Sequence, residues 1–353
     1  MSTALQPDPP IQFEVPRGRW ATEPPEHRGI PRDQVRLLVA RRDGVTHTSF
    51  ADIGRFLQPG DALVVNTSAT RPAAIDGLHN RGRVVIHLAT EHDDGAWIVE
   101  VRAADGSEPL LDADPGDLIA LEGGGHLTLH VPAAAGPDGR GVRLWRASLC
   151  VGGTVAAYMR RHGRPIAYAA GAGSREPLLL SDYQTVFAQN PGSAEMPSAG
   201  RPFSSRLVTH LVSSGVSVLP LTLHAGVSSQ EVSEPPQPEW FEVPVSTALA
   251  VNRTRRAGGR VIAVGTTATR ALESAVGNGG VHPDRGWTDL VITPDRGVHT
   301  VDGLITGWHE PTASHLLLLQ AVAGHELVQR AYDRAVAGRY LWHEFGDSCL
   351  LLP

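Results

Sequence analysis

Two histidines and a pair of adjacent threonines are the residues whose types and positions best suit chemistry at neutral pH. His224 and His309 each follow an apolar run that ends near a small residue. Because imidazole titrates near neutrality, both are candidate general bases, although a His at a strand end is also commonly a structural hydrogen-bonding residue. Gly265, Thr266 and Thr267 follow a third apolar run and precede a helical pattern. Their N–H groups and hydroxyls suit a carboxylate or phosphate, although Thr is also an ordinary helix cap.

The elements that must position these residues are predicted from apolar patterning. After about residue 155, predicted strands alternate with predicted helices, which indicates an α/β domain with a mainly parallel sheet. The strands are VSVLPLTLH, GRVIAVGTT, TDLVIT and DGLITGWH, and the helices are ATRALESAVG, TASHLLLLQAVAG and HELVQRAYDRAVAG. Open α/β sheets bind ligands at the carboxyl ends of their strands. We therefore expect His224, the Gly265–Thr267 turn, Thr306 and His309 to meet at one edge.

A second module interrupts this pattern. Between residues 61 and 150, short runs rich in Val, Ile and Leu are separated by turns, and they include DALVVN, GRVVIHLAT, GAWIVEVRA, DLIAL, HLTLHV and GVRLWRA. Strands at this spacing predict a small antiparallel β-barrel. The predicted organisation is a discontinuous α/β domain, residues 1–60 and 151–353, with a barrel domain inserted at residues 61–150.

Composition excludes several classes of protein. All 31 basic residues are Arg, so a Schiff-base or P-loop lysine is ruled out. The sequence contains no run of about 18 apolar residues, so no membrane span is predicted. The acidic N-terminus lacks the pattern of a secretory signal peptide. The two cysteines form no disulfide framework, which favours a cytoplasmic protein. The histidines show no metal-ligand spacing, so no metal site is predicted.

Several segments in fixed order resemble the S-adenosylmethionine:tRNA ribosyltransferase-isomerase family of queuosine biosynthesis. They are DYQTVFAQNPGSAEMPSAGRPF, TLHAG, RVIAVGTTATRALES, TDLVITP, VDGLITGWHEPTAS and RYLWHEFGDSCLL, and the resemblance covers nearly the whole chain. The family combines an α/β domain with an inserted barrel. The resemblance implies transfer and isomerisation of the ribosyl group of S-adenosylmethionine onto a 7-aminomethyl-7-deazaguanine base at the wobble position of tRNA. Epoxyqueuosine would form, with release of adenine and methionine.

The resemblance also implies a set of site residues. His224 and His309 would be catalytic. Residues predicted to bind substrate are Tyr183, Gln184, Glu195, Pro197, Ser198, Gly200, Arg201, Gly265, Thr266, Thr267, Arg270 and Thr306. The implied partners are S-adenosylmethionine, as co-substrate, and possibly tRNA. No metal or other cofactor is expected, because the sulfonium itself acidifies the C5′ hydrogens.

This chain departs from the family pattern at several of these positions. In the loop SAEMPSAGRPFSS, Glu195, Ser198 and Arg201 stand where the family has other residues. Glu195 and Arg201 are predicted either to flank the acceptor pocket or to bridge to one another. An expected Arg is Ala69 here, with Arg71 nearby. Two alternatives to the family's reaction therefore remain at this point. One is a diverged enzyme that uses S-adenosylmethionine with a different, small-molecule or nucleoside acceptor, and the other is a non-catalytic binding module.

Overall fold

The computed structural model describes residues 10–135, 141–167, 178–227 and 236–353. The acidic N-terminus is predicted to lack a secretory signal. Residues 1–9 of that segment lie outside the described residues. In chain order the strands are β1 (Arg36–Arg41), β2 (Gly44–Ser49), β3 (Ala62–Asn66), β4 (Ser68–Thr70), β5 (Ala74–His79), β6 (Gly82–Glu91), β7 (Trp97–Ala103), β8 (Leu118–Leu121), β9 (His126–Ala135), β10 (Val142–Cys150), β11 (Asn190–Ser193), β12 (Ser217–Leu223), β13 (Glu239–Val243), β14 (Val261–Val264), β15 (Val276–Gly277), β16 (Gly280–Val281), β17 (Asp284–Thr288), β18 (Gly303–Thr306) and β19 (Ser348–Leu352).

The helices complete the two predicted modules. They are α1 (Val155–His162), α2 (Ser205–Ser213), α3 (Val245–Arg256), α4 (Thr266–Ser274), α5 (His315–Ala323) and α6 (His325–Ala337). Short 3-10 turns cover Arg32–Gln34, Phe50–Phe56, Leu180–Tyr183 and Ser198–Gly200. No helix among the described residues is long and apolar enough to cross a membrane.

A nine-stranded sheet forms the α/β module, in the order β17-β13-β12-β3-β14-β18-β19-β1-β2. The sheet is mixed, since four neighbouring pairs are parallel and four are antiparallel. Its centre, β12-β3-β14-β18, is parallel throughout. Strands buried on both faces read as continuous apolar runs, and VIAV of β14 is one of them. Its alternate residues enter two separate cores, one on each face of the sheet.

The inserted barrel is closed in the order β10-β7-β6-β5-β8-β9, and each pair of neighbouring strands is antiparallel. Its core contains Trp145 and Ile86, both buried. Tyr158 and Met159 of α1 pack in the same core, so α1 belongs with the barrel. The predicted boundary at residue 151 therefore falls too early.

The structure corrects two predicted strands. DALVVN does not join the barrel, because β3 lies between β12 and β14 in the large sheet. Its fully buried run ALVV is the pattern of a central parallel strand, whereas a small barrel favours alternation. The prediction of a strand at TDLVIT is also wrong, since β17 ends at Thr288 and residues 289–293 are irregular.

Candidate active site

The carboxyl ends of four adjacent parallel strands meet at one edge of the large sheet. His224 follows β12, Gly265 follows β14, and Thr306 ends β18. The fourth strand, β3, ends at Asn66 between β12 and β14. The structure thus brings the sequence-predicted strand-end residues to one edge, as the rule for open α/β sheets requires.

His224 is half-buried and tightly held. Its Nδ1 lies 2.8 Å from Oγ of Ser68, and its ring stacks on Trp240 with centroids 5.2 Å apart. Burial and then the charge of Arg71 lower the pKa of His224 to about 4. His224 is therefore neutral at physiological pH.

A hydrogen-bonded path joins His224 to the threonine turn. Nδ2 of Asn66 donates to Oγ1 of Thr267 at 3.2 Å. Oδ1 of Asn66 accepts the backbone N–H of Ser68 at 3.0 Å, and Ser68 contacts His224. Nδ2 of Asn66 also donates to the carbonyl oxygen of Leu223, 2.9 Å away. A single buried amide thus connects the ends of three strands.

The turn itself has the geometry of an anion-binding helix start. Gly265 has φ of +94°, a conformation that favours glycine. A Cβ added at Gly265 would lie 3.2 Å from that of Ala199, so this turn packs against the Ser198–Gly200 turn. Thr266 and Thr267 begin α4 and are half-buried. Unbonded N–H groups of a helix's first turn and its dipole favour a carboxylate there.

His309 lies at the end of β18 with a hydroxyl partner. Its Nε2 is 2.9 Å from Oγ1 of the buried Thr306, and its ring stacks on His315 with centroids 4.7 Å apart. Burial and then the charge of His315 place the pKa of His309 well below its ordinary value. His309 is therefore also a neutral imidazole at physiological pH.

The Ser193–Ser205 loop passes beside this edge. Its Ala194 N–H donates to the carbonyl oxygen of Ala225 at 2.7 Å, directly after His224. Pro197 precedes the short turn formed by Ser198 to Gly200, in which Ser198 is half-buried. Gly200 approaches Thr185, where an added Cβ would be 3.4 Å from the threonine methyl. The loop is thus fixed against both the sheet edge and the chain before it.

Arg201 and Glu195 have different surroundings. Arg201 is only 3% exposed, donates to Oε2 of Glu26 at 3.0 Å and to the carbonyl oxygen of Asp182 at 2.8 Å. These bonds neutralise Arg201 and anchor the loop. Glu195 is half-buried. Burial of Glu344 and then the charge of Glu195 raise the pKa of Glu344 to about 8. Glu195 therefore lies near enough to Glu344 for the two negative charges to repel.

Tyr183 and Gln184 contact residues outside the Ser193–Ser205 loop. Tyr183 is buried with its ring edge against Phe345, at a centroid distance of 5.3 Å. Gln184 clamps the backbone of Thr70, accepting its N–H at 3.2 Å and donating to its carbonyl oxygen at 2.8 Å. These contacts hold β4, which carries Ser68 at its start.

Arg270 is buried on α4, the helix that begins at the threonine turn, and stabilises its surroundings. It donates to Oε2 of Glu239 at 2.7 Å and to the carbonyl oxygens of Gln237, Thr288 and Leu290. Oε1 of Glu239 accepts the N–H of Gly226, two residues after His224. This ion pair links α4 to the turn that follows β12.

The analysis of the sequence missed Asn66, Ser68 and Ser193 as site residues. The detectable signal for Asn66 and Ser68 is the fully apolar run ALVV, which ends in Asn-Thr-Ser, as expected for a central strand whose end faces a ligand. Arg71, noted near the missing family Arg, donates to the carbonyl oxygens of Gly192 at 3.1 Å and of Leu88 at 2.9 Å. Arg71 thus joins the barrel strand β6 to β11. Among the described residues no group of three His, Cys, Asp or Glu could hold a metal ion.

Fold and site together define an α/β protein with an inserted barrel and a candidate ligand site at the ends of four parallel strands. A model of the family described as queuosine biosynthesis protein matches residues 10–351. The chain therefore belongs to that family.

Relatives with known names are similar to this chain over nearly its full length. The S-adenosylmethionine:tRNA ribosyltransferase-isomerase of Symbiobacterium thermophilum is 35% identical over 355 residues, which cover 97% of this chain and 98% of the relative. The enzyme of the same name from Acidiphilium cryptum is 35% identical over 352 residues, again 97% and 98%. The crystal structure of the S-adenosylmethionine tRNA ribosyltransferase from Thermotoga maritima is similar with a TM-score of 0.53. It is 28% identical, and the match covers 97% of this chain and 99% of that one.

Proposed function

We propose that this chain is an S-adenosylmethionine:tRNA ribosyltransferase-isomerase. It transfers and isomerises the ribosyl group of S-adenosylmethionine onto the 7-aminomethyl-7-deazaguanine base of tRNA and releases adenine and methionine. The observation that carries the proposal is the hydrogen-bonded path from Thr267 through Asn66 and Ser68 to His224. It joins a turn suited to a carboxylate with an imidazole suited to the reacting nucleoside. Full-length similarity to enzymes of this name supports it and favours it over the two alternatives.

The proposal assigns a part of the donor to each group. The N-terminus of α4, with Thr266 and Thr267, holds the methionine carboxylate, because N–H groups, hydroxyls and the helix dipole all favour an anion. His224 and His309 contact the reacting nucleoside from the ends of β12 and β18. The chemistry starts at the C5′ hydrogens, which the sulfonium acidifies, so no metal is assigned to it.

The proposed activity is tested by adenine release. Purified protein is incubated with S-adenosylmethionine and tRNA that carries the aminomethyl-deazaguanine base. Adenine is expected to form in proportion to modified tRNA, at the same rate with and without EDTA. Matched tRNA with guanine at the wobble position is the control and should release none. Binding of S-adenosylmethionine without adenine release would contradict the proposed reaction, and release that needs no tRNA would contradict the proposed acceptor.

The carboxylate assignment predicts the effect of removing both hydroxyls of the turn. Thr266→Val with Thr267→Val should weaken S-adenosylmethionine binding by about 1.5–3 kcal/mol, the range for hydrogen bonds to a charged group. Calorimetric titration measures the change. Thr209→Val is the matched control, since Thr209 is exposed on α2 and its hydroxyl donates to the carbonyl oxygen of Ser205. Equal affinity of the double variant and the control would exclude the turn as the carboxylate site.

A further inference from the structure

The ring of His224 is held in one orientation from both sides. Trp240 stacks on one face at an interplanar angle of 20°. The backbone of Gly192 lies so close to the ring that an added Cβ would be 2.3 Å from Nδ1. Nδ1 contacts Ser68, whereas no partner for Nε2 is found among the described residues. The half-exposed ring therefore turns Nε2 to the side left for a ligand.

Two buried hydroxyls continue from Nδ1 in a chain. Oγ of Ser68 is 2.8 Å from Nδ1 of His224 and 2.6 Å from Oγ of Ser193. Oγ of Ser193 accepts the backbone N–H of Ala225 at 3.0 Å. Both serines are fully buried. A hydroxyl has one hydrogen to donate, so the direction of each bond along this chain can be worked out.

Only one direction uses every hydroxyl hydrogen within the described residues. Ser193 accepts from Ala225 and donates to Ser68, and Ser68 then donates to Nδ1 of His224. In the opposite direction Nδ1 would donate to Ser68 and Ser68 to Ser193, and the hydrogen of the buried Ser193 would have no acceptor in the described part of the chain. A buried donor left unsatisfied costs about 1–3 kcal/mol. The first direction is therefore favoured.

This direction fixes the tautomer of His224. With Nδ1 as an acceptor, the neutral ring carries its hydrogen on Nε2. Burial and the charge of Arg71 oppose protonation of Nδ1, which keeps the ring neutral. The nitrogen that faces the ligand side is then an N–H group, and it has no lone pair with which to take a proton.

We propose that His224 acts on the substrate as a neutral hydrogen-bond donor through Nε2, and that Ser68 is the positioning residue that fixes this tautomer. The inference rests on the proposed function and deepens it. His224 would donate to a lone pair of the substrate, a ring nitrogen or oxygen of the nucleoside, where negative charge develops. The general base predicted from the sequence at this position must then be a different group.

Nitrogen NMR of the free protein tests the tautomer without any turnover. In protein labelled with ¹⁵N histidine, the His224 signals are assigned by their loss in His224→Gln. We expect a pyridine-type shift at Nδ1 and a pyrrole-type shift at Nε2 at neutral pH. Ser68→Ala should move the population toward the other tautomer, because Nδ1 then loses its donor, whereas Ser214→Ala, at an exposed hydroxyl beyond α2, should not. A pyrrole-type Nδ1 in the wild type would overturn the proposal, and an unchanged population in Ser68→Ala would remove the role of Ser68.

A pair of substitutions tests the role in catalysis. Gln can donate a hydrogen bond but cannot serve as a base, and Leu can do neither. His224→Leu should lower kcat by roughly 100-fold to 1,000-fold, the range for loss of one positioned donor, with His224→Gln at least about tenfold more active. Equal losses in the two variants, both folded by circular dichroism, would overturn the donor role. Failure of the wild type to release adenine would instead count against the proposed function, and the NMR result would still stand.

Discussion

Glu273→Ala is expected to lower the free energy of unfolding by about 3–5 kcal/mol, the range for removing one partner of a buried ion pair. The Glu273 side chain is completely buried on α4. Its carboxylate accepts the backbone N–H groups of His299 at 2.9 Å and Thr300 at 2.8 Å, and it pairs with Arg296 at 3.2 Å. Alanine leaves these donors without their acceptor. Because Ala is the best helix former, the loss would come from these contacts and not from α4 itself.

Urea unfolding measures this difference. Glu122→Ala is the control, because Glu122 is an exposed carboxylate in a barrel turn and should change stability by less than about 0.5 kcal/mol. Glu273→Gln keeps one acceptor oxygen and should fall between the two. If Glu273→Ala unfolds at the same urea concentration as the control, the carboxylate does not hold the segment that leads into β18.

The functional link is the position of that segment. Residues 296–301 run directly into β18, which ends at Thr306 beside His309. Glu273 lies in a sequence segment that resembles the family and is predicted to be a helix. Its carboxylate accepts hydrogen bonds from residues 23 to 28 positions further along the chain. Contacts of that range leave no periodic signal in the sequence. The role of Glu273 could therefore only be seen in the structure.

The sequence was most informative where local patterns decide the structure. Gly265, Thr266 and Thr267 follow an apolar run and start a helix, and the structure has that arrangement. It was least informative where tertiary pairing decides, as for β3, whose apolar run was interpreted as a barrel strand although it pairs with β12 and β14. Because β3 was misplaced, Asn66 and Ser68 at its end were not recognised.

Residue type alone also failed to separate ligand-facing groups from supporting ones. Arg201, predicted either to flank the acceptor pocket or to bridge to Glu195, is buried against Glu26 and the ring of Phe345. Gln184 uses its amide on the backbone of Thr70. A polar side chain in a site motif has both possibilities, and the choice depends on neighbours that are distant in sequence.

The second large loss of stability is expected on breaking the ion pair between Arg270 and Glu239. Arg270→Met should lower the free energy of unfolding by about 3 kcal/mol, the lower end of the range for a broken buried ion pair, because Glu239 is 16% exposed. The variant leaves the carboxylate of Glu239 without its cation and the carbonyl oxygens of Thr288 and Leu290 without a donor. Arg285→Met, at an exposed arginine on β17, is the matched control and should unfold like the wild type.

The pH dependence of the free energy of unfolding separates two contributions to the effect of Arg270→Met, the lost ion pair with Glu239 and the lost hydrogen bonds to carbonyl oxygens. Burial already raises the pKa of Glu239, and the charge of Arg270 opposes that rise, so the pKa rises further in Arg270→Met. A folded pKa above the unfolded one means that the folded state binds more protons between the two values, so stability falls as pH rises through that window. The deficit of Arg270→Met against the wild type should therefore be small at about pH 4 and largest above neutrality. Adding Glu239→Gln removes the titrating group, and this double variant should recover stability at high pH and lose the extra pH dependence. A deficit that is equal at both pH values, and unchanged by Glu239→Gln, would show that the ion pair contributes nothing and that Arg270 stabilises the turn after His224 through the carbonyl oxygens alone.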